Sequence, residues 1–375
     1  MCLHTDTLND NISYMGVIPL KFLANYMEVK MKDKKYRLWL SGLPRIGPKR
    51  YMAFLEYFGS AKAVFESSKD ELIKANIVNL GTINLMISKR DIDKVDRYFK
   101  KVQENNIKVY TIDENEYPKN LKNIYDPPSV LYVKGEIEET DENAIAIVGS
   151  RKASEYGLRT AEQYGQELAQ EGFTIVSGMA LGIDSAAHRG ALKANGRTIA
   201  VFGCGLNYVY PRSGLNLARE IIKNGAIISE YPLGAPAIPQ NFPARNRIIS
   251  GMSRGVLIVE ANKKSGSLIT ADFALEQGRD VFAIPGNINS PNSKGTNELI
   301  KSGAKLVNSA TDILEEYYGI IDYDNRSREE EVFDSIELEI IKLLKTSGRT
   351  IDEIIEEVDI ESSQVLYKIT LLEIR

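Results

Sequence analysis

The sequence predicts an α/β fold: a parallel sheet covered by helices on both faces, with helical modules before and after it. Three observations predict it. Seven apolar runs of strand length lie between residues 144 and 307. Helical patterns separate most of them, and the notable glycine-bearing loops follow the carboxyl ends of the runs. Near-continuous apolar strands alternating with amphipathic helices mark a parallel sheet buried on both sides.

The totals bound the rest. A chain of 375 residues, 43% hydrophobic and 26% charged, is long enough for two or three domains, each with its own core. The net charge of −4 gives no global pull toward nucleic acid, so any such contact must come from a local patch. Cys2 and Cys204 are too few and too distant for a disulfide scaffold or zinc cluster, which fits a reducing cytoplasm. No apolar run approaches the length of a membrane span, so no membrane partner is expected.

Residues 1–30 are polar and irregular, and Met31-Lys-Asp-Lys-Lys reads like a natural start. A loosely ordered extension is expected there. Residues 31–110 form a helical domain, with Trp39, Leu40 and Leu43, then Tyr51, Phe54, Leu55 and Phe58 at helical spacing. Inside it, Leu43-Pro-Arg-Ile-Gly-Pro-Lys-Arg50 reads either as a helix-hairpin-helix turn able to grip a phosphate or as a plain turn between helices. Val109–Leu131, with Tyr117-Pro118 and Pro127-Pro128, reads as a connector.

The sheet domain is placed at 111–318. Its strands are expected at Ala144–Val148, Thr174–Ser177, Ile199–Gly203, Ala226–Ser229, Val256–Val259, Val281–Ile284 and Lys305–Val307. Helices are expected at Tyr156–Gln170, Ser185–Lys193, Leu215–Lys223 and Ser267–Glu276. Residues 319–332 are charged and read as a linker. Residues 333–375 give three short helices, Ser335–Leu344, Ile351–Val358 and Glu361–Leu372, resembling a winged-helix module cut off before its wing. Its acidic residues point to packing or partner docking rather than to DNA.

Ligands on such sheets bind outside the carboxyl ends of the strands. Gly149-Ser150-Arg151 follows an apolar strand and precedes a helix, the layout of a phosphate site. It has neither the spacing of a dinucleotide fingerprint nor the Lys-Ser/Thr of a P-loop, so no NAD or ATP cofactor is signalled. Between Glu230 and Glu260 no acidic residue occurs, while Arg245, Arg247 and Arg254 do. Phe242 either offers a face to a nucleobase or packs under its own loop; Arg247 either holds a phosphate or pairs with a carboxylate at the sheet edge. Arg212, after Tyr210-Pro211, extends the positive track. About four cations on a single strand imply a roughly fifty-fold fall in affinity between 50 and 200 mM salt.

Asp184 is expected to cap the following helix. Asp184 and His188 stand at the i, i+4 spacing of a helical metal pair, but with two histidines in the chain and no clustered third ligand, no metal is expected. Ser177 or Ser185 would have only His188 as a base, which makes a Ser/His hydrolase a remote reading.

Taken in order, the blocks IVGSR, IVSGMALGIDSAAHRGAL, VFGCGL, ISEYPLG, NFPARNRIISG, SGSLITA and AIPGNINSPNSKGTN closely resemble the DNA-processing protein A (DprA/Smf) family, across about Lys35–Tyr318. The resemblance implies an extended Rossmann fold, a sterile-alpha-motif-like domain before it and a winged-helix-like module after it. It implies a cytoplasmic, non-enzymatic protein of natural transformation, competence and recombination that binds single-stranded DNA, loads the RecA recombinase and works as a homodimer through the Rossmann domain. The family's DNA pocket carries over to Gly149, Ser150, Arg151, Arg212, Phe242, Arg245, Asn246 and Arg247. Where some members have a lysine just before the Phe-Pro, this chain has Pro239 and Gln240. The competing reading is an enzyme on the same sheet, a lysine-decarboxylase-like nucleotide phosphoribohydrolase. That class is expected to carry Pro-Gly-Gly-x-Gly-Thr and a following glutamate, where this chain has Pro285-Gly-Asn and Ser265-Gly-Ser.

Overall fold

In the computed structural model, residues 33–317, 340, 343, 351–358 and 362–374 are described. The extension expected over 1–30, the linker over 319–332 and most of the helix expected over Ser335–Leu344 lie outside the described residues. The chain divides into two compact units, one ending at Glu316 and one beginning at Tyr317.

The first unit opens with helices α1 (33–41), α2 (Pro48–Phe58), α3 (Ala61–Glu66), α4 (Lys69–Ala75), α5 (Leu80–Ser88) and α6 (Ile92–Glu104). Short polar side chains start most of them. Ser60, Asn79 and Asp91 accept from the first-turn amides, and Ser68 with Glu71 closes a reciprocal capping box. Pro48 opens α2, where its missing N–H costs nothing. Trp39, Leu40, Tyr51, Phe54 and Met86 bury their side chains in an apolar cluster that continues through Leu121 and Leu131 to the sheet face.

Nine strands then form one sheet: β1 (Lys108–Thr111), β2 (Val130–Gly135), β3 (Ala144–Val148), β4 (Thr174–Ser177), β5 (Thr198–Val201), β6 (Gly225–Ser229), β7 (Gly255–Ile258), β8 (Asp280–Ala283) and β9 (Lys305–Leu306). Their order is β1-β2-β6-β5-β4-β3-β7-β8-β9. The seven strands from β6 to β9 pair in parallel, with Ala146 of β3 opposite Val176 of β4 and Val256 of β7. Helices α7 (Lys119–Lys122), α8 (Glu155–Gln170), α9 (Ile183–Lys193), α10 (Leu215–Lys223), α11 (Asn241–Gly251), α12 (Gly266–Glu276) and α13 (Lys294–Lys301) complete the α/β alternation. The expected strands and helices fall within two residues of these bounds.

Two elements depart from the sequence reading. The stretch read as a connector, 109–131, carries most of β1 and opens β2; β1 pairs antiparallel with β2, and β2 with β6. The stretch Glu230–Arg247, read as a loop, ends in helix α11. Pro243 is its third residue, in the first turn, where an amide has no intrahelical partner to lose.

The chain runs outward from β3 through β4 and β5 to β6, then crosses back through α11 to β7 on the other side of β3. The order therefore reverses between β3 and β7, and the crevice beyond the carboxyl ends of those strands is where such a sheet binds ligands. Among the described residues, no helix is long and apolar enough to cross a membrane.

In the second unit, helices span Ile351–Glu357 and Ser362–Ile374. Ile340, Ile354, Val358 and Val365 bury a small apolar cluster of their own.

Candidate nucleic-acid interface

A cleft of about 600 Å³ occupies the switch point, lined by Gly149, Ser150 and Arg151 after β3, by Asn262 and Ser265–Ser267 after β7, and by one side of α11. Gly149 is required by the close approach of its neighbours. A methyl group there would meet Ile183 Cγ1 at 2.7 Å and the Glu260 carbonyl oxygen at 2.9 Å. The loop is pinned by Ser150 N–H donating to that same carbonyl at 2.8 Å.

Helix α11 presents Phe242, Arg245, Asn246 and Ile249 to the cleft. These stand at i, i+3, i+4 and i+7, one face of a helix. Arg151 sits over the Phe242 ring, its guanidinium carbon 5.4 Å from the centroid. Tyr210, half exposed, adds a second ring 5.5 Å from Phe242. Phe242 is partly buried, resting on Gly203. Arg151 is exposed, and among the described residues no carboxylate lies within ion-pair distance of it.

Arg245 lies deeper. It is 3% exposed, Nη1 donates to the Gly178 carbonyl at 3.0 Å, and Nε has no hydrogen-bond partner. Burial pulls its guanidinium down to about 10, opposed by the field of Asp184, so it stays charged at neutral pH. Burial likewise pushes the Asp184 carboxyl up to about 6, with Arg245 acting the other way. Both crowd Gly178, where a methyl group would meet Arg245 Nη2 at 2.5 Å and Asp184 Oδ2 at 2.7 Å. Asp184 lies in the first turn of α9 and accepts from Ala180 N–H at 3.3 Å. Gly182, which has no side chain to bond with, takes the cap position expected for it.

Arg247 is not brought into the cleft. Two residues beyond Arg245 on a helix, it points roughly 200° away. Its two terminal nitrogens bond both oxygens of Glu230, at 2.8 and 2.7 Å, and Nε lies 3.5 Å from Asp126. It lines a separate hollow with Gly47, Pro48 and Asp126. Glu230 directly follows β6, so the sheet-edge pairing weighed from the sequence is what the structure forms. Arg212 is exposed on a short 3₁₀ turn, Arg212–Gly214, and is not among the cleft-lining residues, although Tyr210 just before it is. Asn246 lines the cleft and donates to the Gly266 carbonyl at 3.2 Å.

His188 is fully buried, with Nδ1 2.7 Å from the Thr198 hydroxyl, and burial pulls it down to about 3, leaving it neutral. The Ser177 and Ser185 hydroxyls donate to the carbonyls of Ile147 and Ala180, each at 2.6 Å. Lys152, Asn262, Ser267 and Asn292 line the cleft but were missed in the sequence. The available signal was position: Lys152, Asn262 and Asn292 lie in the connections past the carboxyl ends of β3, β7 and β8, and Ser267 lies in the first turn of α12.

Fold and site together define a Rossmann-type α/β protein with a cationic, ring-bearing cleft at the switch point of its sheet. The chain belongs to the DNA recombination-mediator protein A family, whose sequence model matches residues 108–318. It is 50% identical over 204 residues to protein Smf of Escherichia coli (strain K12), a match covering 54% of this chain and 54% of that protein. The chain thus aligns with about half the length of that relative. The X-ray structure of DNA processing protein A from Streptococcus pneumoniae superposes with a TM-score of 0.65 at 37% identity, covering 78% of this chain and 97% of that one. DNA processing protein A from Helicobacter pylori, solved for its single-stranded-DNA binding mode, gives 0.51 at 34% identity, covering 56% and 95%.

Proposed function

We propose that this protein binds single-stranded DNA in the switch-point cleft and acts without catalysis, as a DNA-processing protein of natural transformation and recombination. The observation that carries the reading is the exposed Arg151 guanidinium lying over the partly open Phe242 ring. A phosphate can take the cation while an unstacked base takes the ring, and base stacking is worth about 1–3 kcal/mol. The buried Arg245, one nitrogen unpartnered, adds fixed positive charge beneath them. Phosphate contacts position a strand without reading it, so sequence preference should be slight. A duplex keeps its bases stacked and cannot use Phe242.

By kinship with the family, the reading extends to delivery of the bound strand to RecA and to homodimerisation through the sheet domain. The names of the Streptococcus and Helicobacter proteins agree with the DNA part of it. Fluorescence anisotropy with single- and double-stranded oligonucleotides of one sequence tests the core claim. Tighter binding of the single strand, lost in Arg151→Ala, is expected. Equal binding of both forms, or an unaffected Arg151→Ala, would reject it. An assay for base release from AMP should show no product.

A further inference from the structure

One wall of the cleft is a lobe sewn from three loops around the buried Glu260. Its carboxylate accepts from Ser154 N–H at 2.9 Å, the Ser154 hydroxyl at 2.5 Å and Asn292 Nδ2 at 3.1 Å. Asn292 Nδ2 also donates to the Lys152 carbonyl at 3.1 Å, and the Asn292 carbonyl takes Ala261 N–H at 2.7 Å. These bonds tie the three loops to one another.

Its outward face is basic. Ser265 N–H donates to the Asn262 carbonyl at 3.0 Å, closing a four-residue turn with Lys263 and Lys264 at the centre. Lys264 N–H donates to Asn262 Oδ1 at 2.8 Å, which fixes the turn further. The two ends of the turn, Asn262 and Ser265, line the cleft, and both lysines are exposed. Lys152, also exposed, lines the cleft beside them. Among the described residues, none of the three has a carboxylate within ion-pair distance. The one acid at the centre of the lobe, Glu260, is buried and fully engaged.

We propose that Lys152, Lys263 and Lys264 form a second phosphate subsite, carrying the sugar–phosphate backbone of a single strand out of the cleft across the Glu260 lobe. The inference rests on the proposed single-strand reading and deepens it. The nucleotides at Arg151 and Phe242 are the anchor, and the lysine turn holds nucleotides beyond them. Flexible ammonium groups suit this role, since they neutralise phosphates without demanding one geometry.

The test compares thymidine oligomers of about six and about twenty nucleotides, binding wild type, Lys263→Ala/Lys264→Ala and Arg151→Ala across 50–200 mM salt. Each cation lost from a single-strand site removes about 0.7 from the salt slope. For the long oligomer, the double variant should shrink the salt-induced loss of affinity about seven-fold. The short oligomer should bind the variant as it binds wild type, and Lys263→Arg/Lys264→Arg should restore the long one. An unchanged slope with the long oligomer overturns the lobe, as does equal loss with both lengths. If the lobe fails while Arg151→Ala still weakens short-oligomer binding about ten-fold or more, the anchor stands alone; if wild type binds neither oligomer, both readings fall.

Discussion

The two faces of helix α11 put the same chemistry to opposite uses. On one face Arg245 stands over Gly178 with a nitrogen unpartnered, beside Phe242 and Asn246 in the cleft. On the other, Arg247 is saturated by Glu230 and Asp126. The sequence Phe-Pro-Ala-Arg-Asn-Arg reads as one basic cluster, yet helical geometry splits it. One guanidinium lies buried beneath the cleft beside Asp184, and the other locks its helix to Glu230 at the end of β6.

The largest effects should separate those roles. Arg247→Ala leaves Glu230 mostly buried without its partner, a loss of about 3 kcal/mol, and should lower the melting temperature by several degrees. Arg151→Ala should leave melting unchanged and weaken single-strand binding about ten- to a hundred-fold, the worth of a charged hydrogen bond. Calorimetry and anisotropy on both variants check this. The comparison breaks if Arg247→Ala costs affinity with no change in melting.

Phe242→Ala should weaken binding by about 1–3 kcal/mol, whereas Phe242→Trp should retain it. Equal affinity for wild type and Phe242→Ala would mean that the ring serves only to pack on Gly203.

A smaller effect sharpens the contrast on α9, where Asp184 lines the cleft and His188, one turn on, is buried behind it. Folding holds His188 neutral, down to about 3 from an ordinary value near 6.5. Its contribution is therefore complete above pH 6.5 and is lost as pH falls toward 3, by at most about 1.4 kcal/mol per pH unit. Asp184 works with the opposite sign: its raised carboxyl favours the fold below pH 4, an advantage lost as pH rises through 6. Urea midpoints of wild type and His188→Asn between pH 7 and 4.5 isolate the imidazole. Their difference should narrow with acid, and a constant difference would show that His188 titrates normally.

The sequence made the parallel sheet legible because its strands are buried on both faces and read as unbroken apolar runs. Ala144–Val148 and Thr174–Ser177 match residue for residue. β1 and β2 are hard to read as strands because each is a short apolar piece at one end of a stretch broken by prolines and polar residues, Val109–Leu131. Helix α11 was hidden for a similar reason: Pro243 and a run of polar residues suggest a loop, although a first-turn proline suits a helix. Of the two roles the sequence leaves open for Arg247, helical geometry selects the carboxylate pairing. The Gly149–Arg151 cradle and Phe242 were legible from local order alone, while Lys152, Asn262 and Asn292 depend on three loops meeting in space.

The most direct test of the central claim is photocrosslinking of a single strand carrying 5-iododeoxyuridine, followed by mass spectrometry of the modified peptide. Attachment at Phe242 or Tyr210, suppressed in Arg151→Ala, is the predicted result. Attachment confined to peptides outside the cleft, unaffected by Arg151→Ala, would contradict the account.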